Sequence, residues 1–352
     1  MILIIQKCLP AYRKKIFDEL LVRGKNVHIA YSDPDVGKLK SVHVDTSSKN
    51  YTLLSLKKLR LFKRTFYIQT GLLKLFRNHK IDTILVEGES NFISSILCLL
   101  YSLFSRKTKV IVWTLGYLPN RHYSFISILI KYMYYNFFDG VMFYSKYSFD
   151  FHNRYFINNK KYFYNTNITM HKQCSNLSMF RKKRDVNNIV GFYVGAWGGE
   201  KNTDFFLNPS NYTGLQHLFV FSKNVPECDA SILNKLENVT LISNYTYREI
   251  YRFAYRCCDF MILPGRGGQV VGEALLNGLP VICWSGDGTE HELISHKNGM
   301  ILESILGISQ ALSTPSSIFN ILNTFRASDS DVINDIKRIQ ENWFITFENR
   351  VL

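Results

Sequence analysis

Short apolar runs alternate with longer amphipathic stretches along the first half of the chain. Met1–Ile5 precedes Tyr12–Val22, and Asn26–Tyr31 follows. Next come Asp82–Val86 with Phe92–Phe104, Lys109–Thr114 with Phe125–Phe137, and Gly140–Tyr144. The short runs read as buried strands and the longer ones as helices, and this alternation predicts a parallel sheet covered on both faces. The rhythm stops at a polar stretch from Tyr162 to Arg184, ending in Arg181-Lys182-Lys183-Arg184, which reads as a linker. It restarts with Asn188–Val194, Leu218–Phe221, Val239–Ile242, Asp259–Leu263 and Pro280–Trp284. The expected fold is α/β, with two Rossmann-like doubly wound domains facing an interdomain cleft, spanning residues 1–180 and 186–330. A helical pattern from Val332 to Leu352 is expected to pack back on the first domain.

Length agrees with two domains, since 352 residues with 46% hydrophobic content exceed what one core usually organises. The opening MILIIQKCLP has too few apolar residues before Lys7 and Pro10 for a secretory signal, and reads as a first buried strand in a cytoplasmic protein. No stretch reaches the roughly 18 to 20 apolar residues of a membrane-spanning helix; Phe92–Phe104 is shorter, contains serines and is expected as a buried helix. Seven cysteines without a CxxC pair argue against a disulfide framework and a zinc site, and the adjacent Cys257 and Cys258 read as buried thiols.

Charge changes the picture more. Residues 1–180 hold 27 Lys/Arg against 10 Asp/Glu, and the remainder 16 against 18. Between Leu56 and Lys80, Lys57, Lys58, Arg60, Lys63, Arg64, Lys74 and Arg77 are interleaved with Leu, Phe and Tyr, a basic amphipathic signature that favours an anionic partner. An anionic membrane surface or a lipid diphosphate fits. Nucleic acid fits less well, because zinc-finger spacing, an RNP-type aromatic motif and a helix-turn-helix pattern are all missing.

In open parallel sheets ligands sit beyond the carboxyl ends of the strands. Two loops there are rich in glycine: Gly195-Ala196-Trp197-Gly198-Gly199-Glu200-Lys201, and Pro264-Gly265-Arg266-Gly267-Gly268-Gln269-Val270-Val271-Gly272-Glu273-Ala274. Glycines let backbone N–H groups approach an anion, and a helix N-terminus adds favourable partial charge. A diphosphate needs such donors together with cations, for which Lys201 and Arg266 are placed. Gly195, Gly267, Gly268, Gln269 and Val270 are the backbone positions expected to face that diphosphate. Glu273, one turn into the helix, is placed to accept hydrogen bonds from vicinal ribose hydroxyls. Asp33-Pro34-Asp35 and Asp329-Ser330-Asp331 imitate a metal-binding DxD motif, but both lie in turn-like polar surroundings and read as loop acids.

At these residues the chain resembles the GT-B glycosyltransferases, especially family 4. The pattern is carried by Pro264, Glu273-Ala274, Gly278-Leu279-Pro280-Val281-Ile282, Glu292-Leu293-Ile294 and Asn298-Gly299. Gly195 to Lys201 is similar to the family's Gly-Arg-x-x-x-x-Lys turn. More loosely, Pro10-Ala11-Tyr12-Arg13 with Phe17 and Leu20 resembles the opening of enzymes that build bacterial surface polysaccharides and lipopolysaccharides, and Asp139-Gly140 to Ser145 and Asn165-Thr166 resemble two weaker landmarks.

The resemblance implies retaining transfer of a hexose-type sugar from a UDP- or GDP-sugar to a saccharide or lipid-linked saccharide, with no metal or other cofactor. Lys201 and Arg266 would stabilise the leaving diphosphate. Tyr12 and Arg13 would lie on the acceptor side, and the protein would sit peripherally at the inner face of the cytoplasmic membrane. Three departures stand out. The first of the family's two glutamates falls on Gly265; Ala196 replaces the arginine of the Gly-Arg turn, a cation that Arg266 is expected to supply; and Leu115-Gly116 stands where relatives often carry a histidine. Two competing readings remain: a GT-B protein that binds nucleotide sugar without transfer, and a basic nucleic-acid-binding protein.

Overall fold

A computed structural model describes all residues except 34–40, 43, 45–47, 62–63, 90, 106, 157–160, 167, 169–187, 247–249, 251–252, 255, 314 and 327–328. The chain divides into two compact units: Met1–Thr166 with Glu341–Leu352, and Asn167–Gln340.

The first unit is built on β1 (Ile2–Gln6), α1 (Ala11–Val22), β2 (Val27–Tyr31), β3 (Tyr51–Leu53), β4 (Ser55–Leu61), β5 (Arg64–Thr70) and α2 (Leu72–Asn78). It continues through β6 (Thr83–Glu87), α3 (Ser94–Phe104), β7 (Lys109–Thr114), α4 (Phe125–Asn136), β8 (Gly140–Phe143), α5 (Lys146–Tyr155) and β9 (Tyr162–Tyr164). Seven strands form one parallel sheet in the order β3-β2-β1-β6-β7-β8-β9. Its central strands are apolar throughout because both faces are covered. Leu3, Ile5, Ile84, Val86, Val110, Val112, Val141 and Phe143 enter one core with residues of α2, α3 and α4. The alternate positions face the other way, where Trp113 meets Phe17 of α1 and Trp343 of the C-terminal segment at ring separations of 6.5 and 6.2 Å. Arg23 holds that segment by a two-pronged ion pair with Glu341 at 2.7–2.8 Å, and the side chain of Asn165 donates to the Trp343 carbonyl at 3.1 Å.

The second unit has a six-stranded parallel sheet, β12-β11-β10-β13-β14-β15, made from β10 (Val190–Val194), β11 (His217–Phe221), β12 (Val239–Ile242), β13 (Phe260–Leu263), β14 (Val281–Trp284) and β15 (Gly299–Leu302). Around it lie α6 (Glu227–Leu233), α7 (Gln269–Leu276), α8 (Glu290–Leu293), α9 (Ile305–Ser313) and α10 (Pro315–Arg326). A last helix, α11, runs from Asp329 to Val351, and its Val332 and Ile336 join this unit's core. Both units are therefore doubly wound parallel sheets of the Rossmann type.

Several expectations need correction. The basic segment from Leu56 to Lys80 is not one amphipathic element. Ser55–Leu61 and Arg64–Thr70 pair antiparallel as a hairpin, and a short helix, α2, follows; Lys63 lies outside the described residues. The polar stretch read as a linker opens with β9, which pairs with β8, while Arg181-Lys182-Lys183-Arg184 lies outside the described residues, as do Pro34 and Asp35. Cys258 is buried as expected but Cys257 is exposed. The segment Phe92–Phe104 does form a helix from Ser94, yet only one side of it is buried: Ile96, Leu100, Leu103 and Phe104 are exposed. Among the described residues no helix is long and apolar enough to cross a membrane.

Candidate functional site

The order of the second sheet reverses between β10 and β13, whose carboxyl ends carry the two glycine-rich loops. Such a reversal opens a crevice that neighbouring crossovers leave uncovered. Here the loops touch. Arg266 N donates to the Glu200 carbonyl at 3.1 Å, and Asn202 Nδ2 donates to the Pro264 carbonyl at 2.9 Å. The Lys201 ammonium donates to the main-chain carbonyl of Arg266, so the two residues predicted as cations join the opposite loops. The Arg266 guanidinium stands 3.5 Å from the exposed carboxylate of Glu200.

Glycine is required where the backbones meet. A Cβ on Gly265 would fall 2.3–2.5 Å from the main-chain atoms of Lys201, and one on Gly286 would fall 2.7 Å from the Cα of Arg266. Gly268 has φ +65°, a left-handed conformation that costs other residues energy, and it precedes α7 without contributing a capping side chain. The first loop turns tightly too: Gly195 N donates to the Phe221 carbonyl, and its own carbonyl accepts from Ser222 Oγ at 2.9 Å. Gln269 and Val270 begin α7, so their amides belong to the helix start that favours an anion. Glu273 lies one turn further on and is buried, with its carbonyl accepting from Asn277 Nδ2 at 2.7 Å.

Two buried carboxyls that sequence reading passed over stand beside this loop. Glu290, first residue of α8, accepts from the amide of Gly286 and, at 3.4 Å, from that of Asp287. Asp287 accepts from Thr289 N at 3.0 Å, and its Oδ2 is 3.9 Å from where a Cβ on Gly268 would sit. Burial, then the charge of Asp287, push the Glu290 carboxyl up to about 8. The buried Thr289 hydroxyl has no hydrogen-bond partner among the described residues.

The folded protein thus holds the Glu290 proton more tightly than the unfolded chain does. The site's contribution to stability is full below the ordinary carboxylate range and is lost as pH climbs through about 8. Glu290→Gln keeps an amide-accepting oxygen and removes the titration. Its thermal midpoint is expected to exceed that of the parent at pH 9, by on the order of 1–3 kcal/mol in stability, with the difference shrinking below pH 5. Equal midpoints across pH 5 to 9 would remove the raised Glu290 titration.

In the first unit the sheet order reverses between β1 and β6. Tyr12 is half-buried at the start of α1, but Arg13 turns inward. Its guanidinium donates to Gln6 and Tyr144, reaches Glu87 at 3.4 Å, and lies 5.0 Å from the Trp113 ring. The structure therefore uses Arg13 to bind strands and helix together rather than presenting it at the surface. Nearer the opening, Lys7 pairs with Glu89 and lies 5.0 Å over Tyr67. Where relatives place a histidine, Gly116 turns at φ +63° and its carbonyl accepts from Lys131 of α4. That ammonium lies 4.7 Å from the rings of both Tyr117 and Tyr123, and burial lowers it to about 8. Among the described residues no group of three or more His, Cys, Asp or Glu gathers to hold a metal ion.

No family model matches the chain, and no curated protein matches it in sequence. Its fold, however, is similar to solved structures over nearly the whole length. One is a lipopolysaccharide outer core galactosyltransferase, WaaB, in its apo form, at 14% identity and a TM-score of 0.67, covering 99% of this chain and 98% of that one. A second is HepE from Anabaena in complex with UDP and glucose, at 14% identity and 0.60, covering 97% and 99%. A third is WaaG, a glycosyltransferase involved in lipopolysaccharide biosynthesis, at 13% and 0.58, covering 96% and 98%. These likenesses show the fold: the chain has the GT-B fold of two Rossmann-like units.

Proposed function

We propose that this protein is a glycosyltransferase that moves a hexose-type sugar from UDP or GDP to a saccharide or lipid-linked saccharide in bacterial surface polysaccharide synthesis, with retention at the anomeric carbon. The observation that carries the reading is the meeting of two glycine-rich loops, joined through Lys201 and the main chain of Arg266, at the reversal point of the second sheet. Negative charge develops on the departing diphosphate, and fixed donors aimed at that charge lower the barrier without reorganisation. Lys201, Arg266 and the amides of Gly267 and Gly268 supply those donors, with the start of α7 adding to them. Glu273 holds the ribose. Asp287, next to Gly268, faces the donor sugar in place of the carboxylate that position 265 lacks. The cations present make a metal unnecessary in this scheme. The fold neighbour HepE has been solved with UDP and with UDP-glucose, which supports a nucleotide-sugar donor here. The acceptor is presented at an anionic membrane surface on the cytoplasmic side.

Thermal-shift titration with UDP, GDP and their hexose conjugates tests the donor half. A ligand at about 100 times its Kd stabilises the folded state by about 2.7 kcal/mol. Glu273→Gln is expected to weaken ribonucleotide binding by about tenfold, the loss of roughly one hydrogen bond to a charged group. If neither nucleotide raises the midpoint at millimolar concentration, donor binding fails. If binding occurs but pooled acceptors and water release no nucleoside diphosphate from any bound nucleotide sugar, transfer fails and the chain is a binder.

A further inference from the structure

The helices α2, α3 and α4 cover one face of the first sheet as a continuous layer. Phe76 of α2 stacks on Tyr101 of α3 at 4.3 Å, and Ser95 of α3 bonds Tyr134 of α4 at 3.0 Å. The side of this layer that faces away from the sheet is apolar. On α3 the exposed Ile96, Leu100, Leu103 and Phe104 recur at helical spacing, with Phe104 at 89% exposure. On α4 the exposed Ile126, Ile130 and Met133 do the same, continued by Phe137 just past its end, and Phe125 opens that helix with its ring exposed. Phe104, Phe125 and Phe137 are 89, 67 and 71% exposed. At about 150–250 Å² per aromatic side chain, these three alone contribute area comparable to the largest apolar patch of an ordinary monomer, about 300–600 Å².

The charge around the patch is mainly of one sign, the nearby acids being the exposed Asp139, two residues past Phe137, and Asp82, whose carbonyl accepts from Lys109 N at 2.9 Å. Not one acidic residue occurs between Glu89 and Asp139, and α2 contains none either. Lys74 and Arg77 on α2, Lys107 and Lys109 after α3, and Arg121 before α4 are all exposed at its margins. An apolar surface with a predominantly cationic margin is complementary to a bilayer whose headgroups are anionic and whose acyl boundary is apolar. A second copy of this chain would bring the same cations against themselves.

We infer that the outer face of α3 and α4 is a membrane-docking surface, in which Leu103, Phe104, Ile126 and Ile130 enter the acyl boundary of an anionic bilayer and the flanking lysines and arginines meet its headgroups. This surface gives the membrane part of the proposed function a location. It stands on its own geometry, because docking requires neither donor nor acceptor.

The test is co-sedimentation of the full-length protein with vesicles of pure phosphatidylcholine and of phosphatidylcholine with 30% phosphatidylglycerol. Binding to the anionic vesicles is expected to be at least tenfold tighter, and to weaken as NaCl rises from about 0.1 to 0.5 M because exposed charges are screened. Leu103→Asp with Phe104→Asp, and separately Ile126→Asp with Ile130→Asp, are each expected to weaken it at least tenfold. A milder pair, Lys107→Gln with Arg121→Gln, should reduce binding and its salt dependence together. All these positions are exposed, so circular dichroism and the UDP-induced midpoint shift should match the parent. Binding that the aspartate pairs leave unchanged, or recovery of the protein in the supernatant with both vesicles, overturns the proposal. So does a concentration-dependent dimer, lost in the same variants, without vesicle binding. Failure of vesicle binding with the UDP shift intact strikes only this surface; loss of the UDP shift with vesicle binding intact strikes only the donor reading.

Discussion

Gly265→Glu, which would write the first carboxylate of the GT-B pattern into the second glycine-rich loop, is expected to collapse that loop rather than restore a function to it. Gly265→Ala already suffices to show it. The added carbon would meet the Cα, C and O of Lys201 at 2.3–2.5 Å, and these are main-chain atoms that no rotamer change can withdraw. Overpacking of this kind typically costs about 1–3 kcal/mol, occasionally more. In a unit of this size each kcal/mol lowers the midpoint by roughly 2–4 °C, so a fall of several degrees is expected for alanine and a larger one for glutamate. Gly199→Ala is the matched control, because a Cβ there meets nothing within 4 Å. Scanning calorimetry with and without UDP separates loss of stability from loss of the site. If Gly265→Ala melts with the parent, the two loops are not in the contact described, and the reason for the missing glutamate must be sought elsewhere.

The same contact explains what could be read in the sequence and what could not. The central strands were legible because burial on both faces leaves continuous apolar runs, as in Ile2–Gln6 and Phe260–Leu263. The hairpin of β4 and β5 was not, because a two-stranded ribbon outside the main sheet mixes cations with apolar residues much as an amphipathic helix does. The exposed face of α3 was hidden by composition. Its serines at positions 94 and 95 are buried and its leucines at 100 and 103 are exposed, the reverse of the usual arrangement. In the two glycine-rich loops the glycines, Lys201, Arg266 and Glu273 could be named from spacing and resemblance. Glu290 and Asp287 could not: Gly286-Asp287-Gly288-Thr289-Glu290 has the composition of a solvated turn. Only the fold shows its carboxyls buried beside Gly268. Arg13 shows the converse, since a cation next to a strand end suggested an acceptor contact and proved to be an internal brace among Gln6, Glu87 and Tyr144.

Lys201→Met should produce the largest loss of turnover. Its ammonium donates to the Arg266 carbonyl and so ties the first loop to the second, and in the proposed function it is also the cation at the leaving diphosphate. Methionine keeps much of the side chain's volume and apolar reach, but cannot donate. Removing one preorganised donor from a developing oxyanion costs about 10²–10³ in kcat. Nucleoside diphosphate binding should weaken far less, because the amides of Gly267 and Gly268 and the start of α7 remain. Arg266→Ala gives the comparison. It removes the cation while leaving the carbonyl to which Lys201 donates, so it should lower kcat and raise the Kd for UDP with the two loops still joined. Arg266→Lys should recover part of the binding, since a point charge can still reach a phosphate without the planar fork. A pattern in which Lys201→Met raises KM and Kd but spares kcat would assign Lys201 to ground-state binding alone. Transition-state stabilisation would then fall to Arg266 and the backbone.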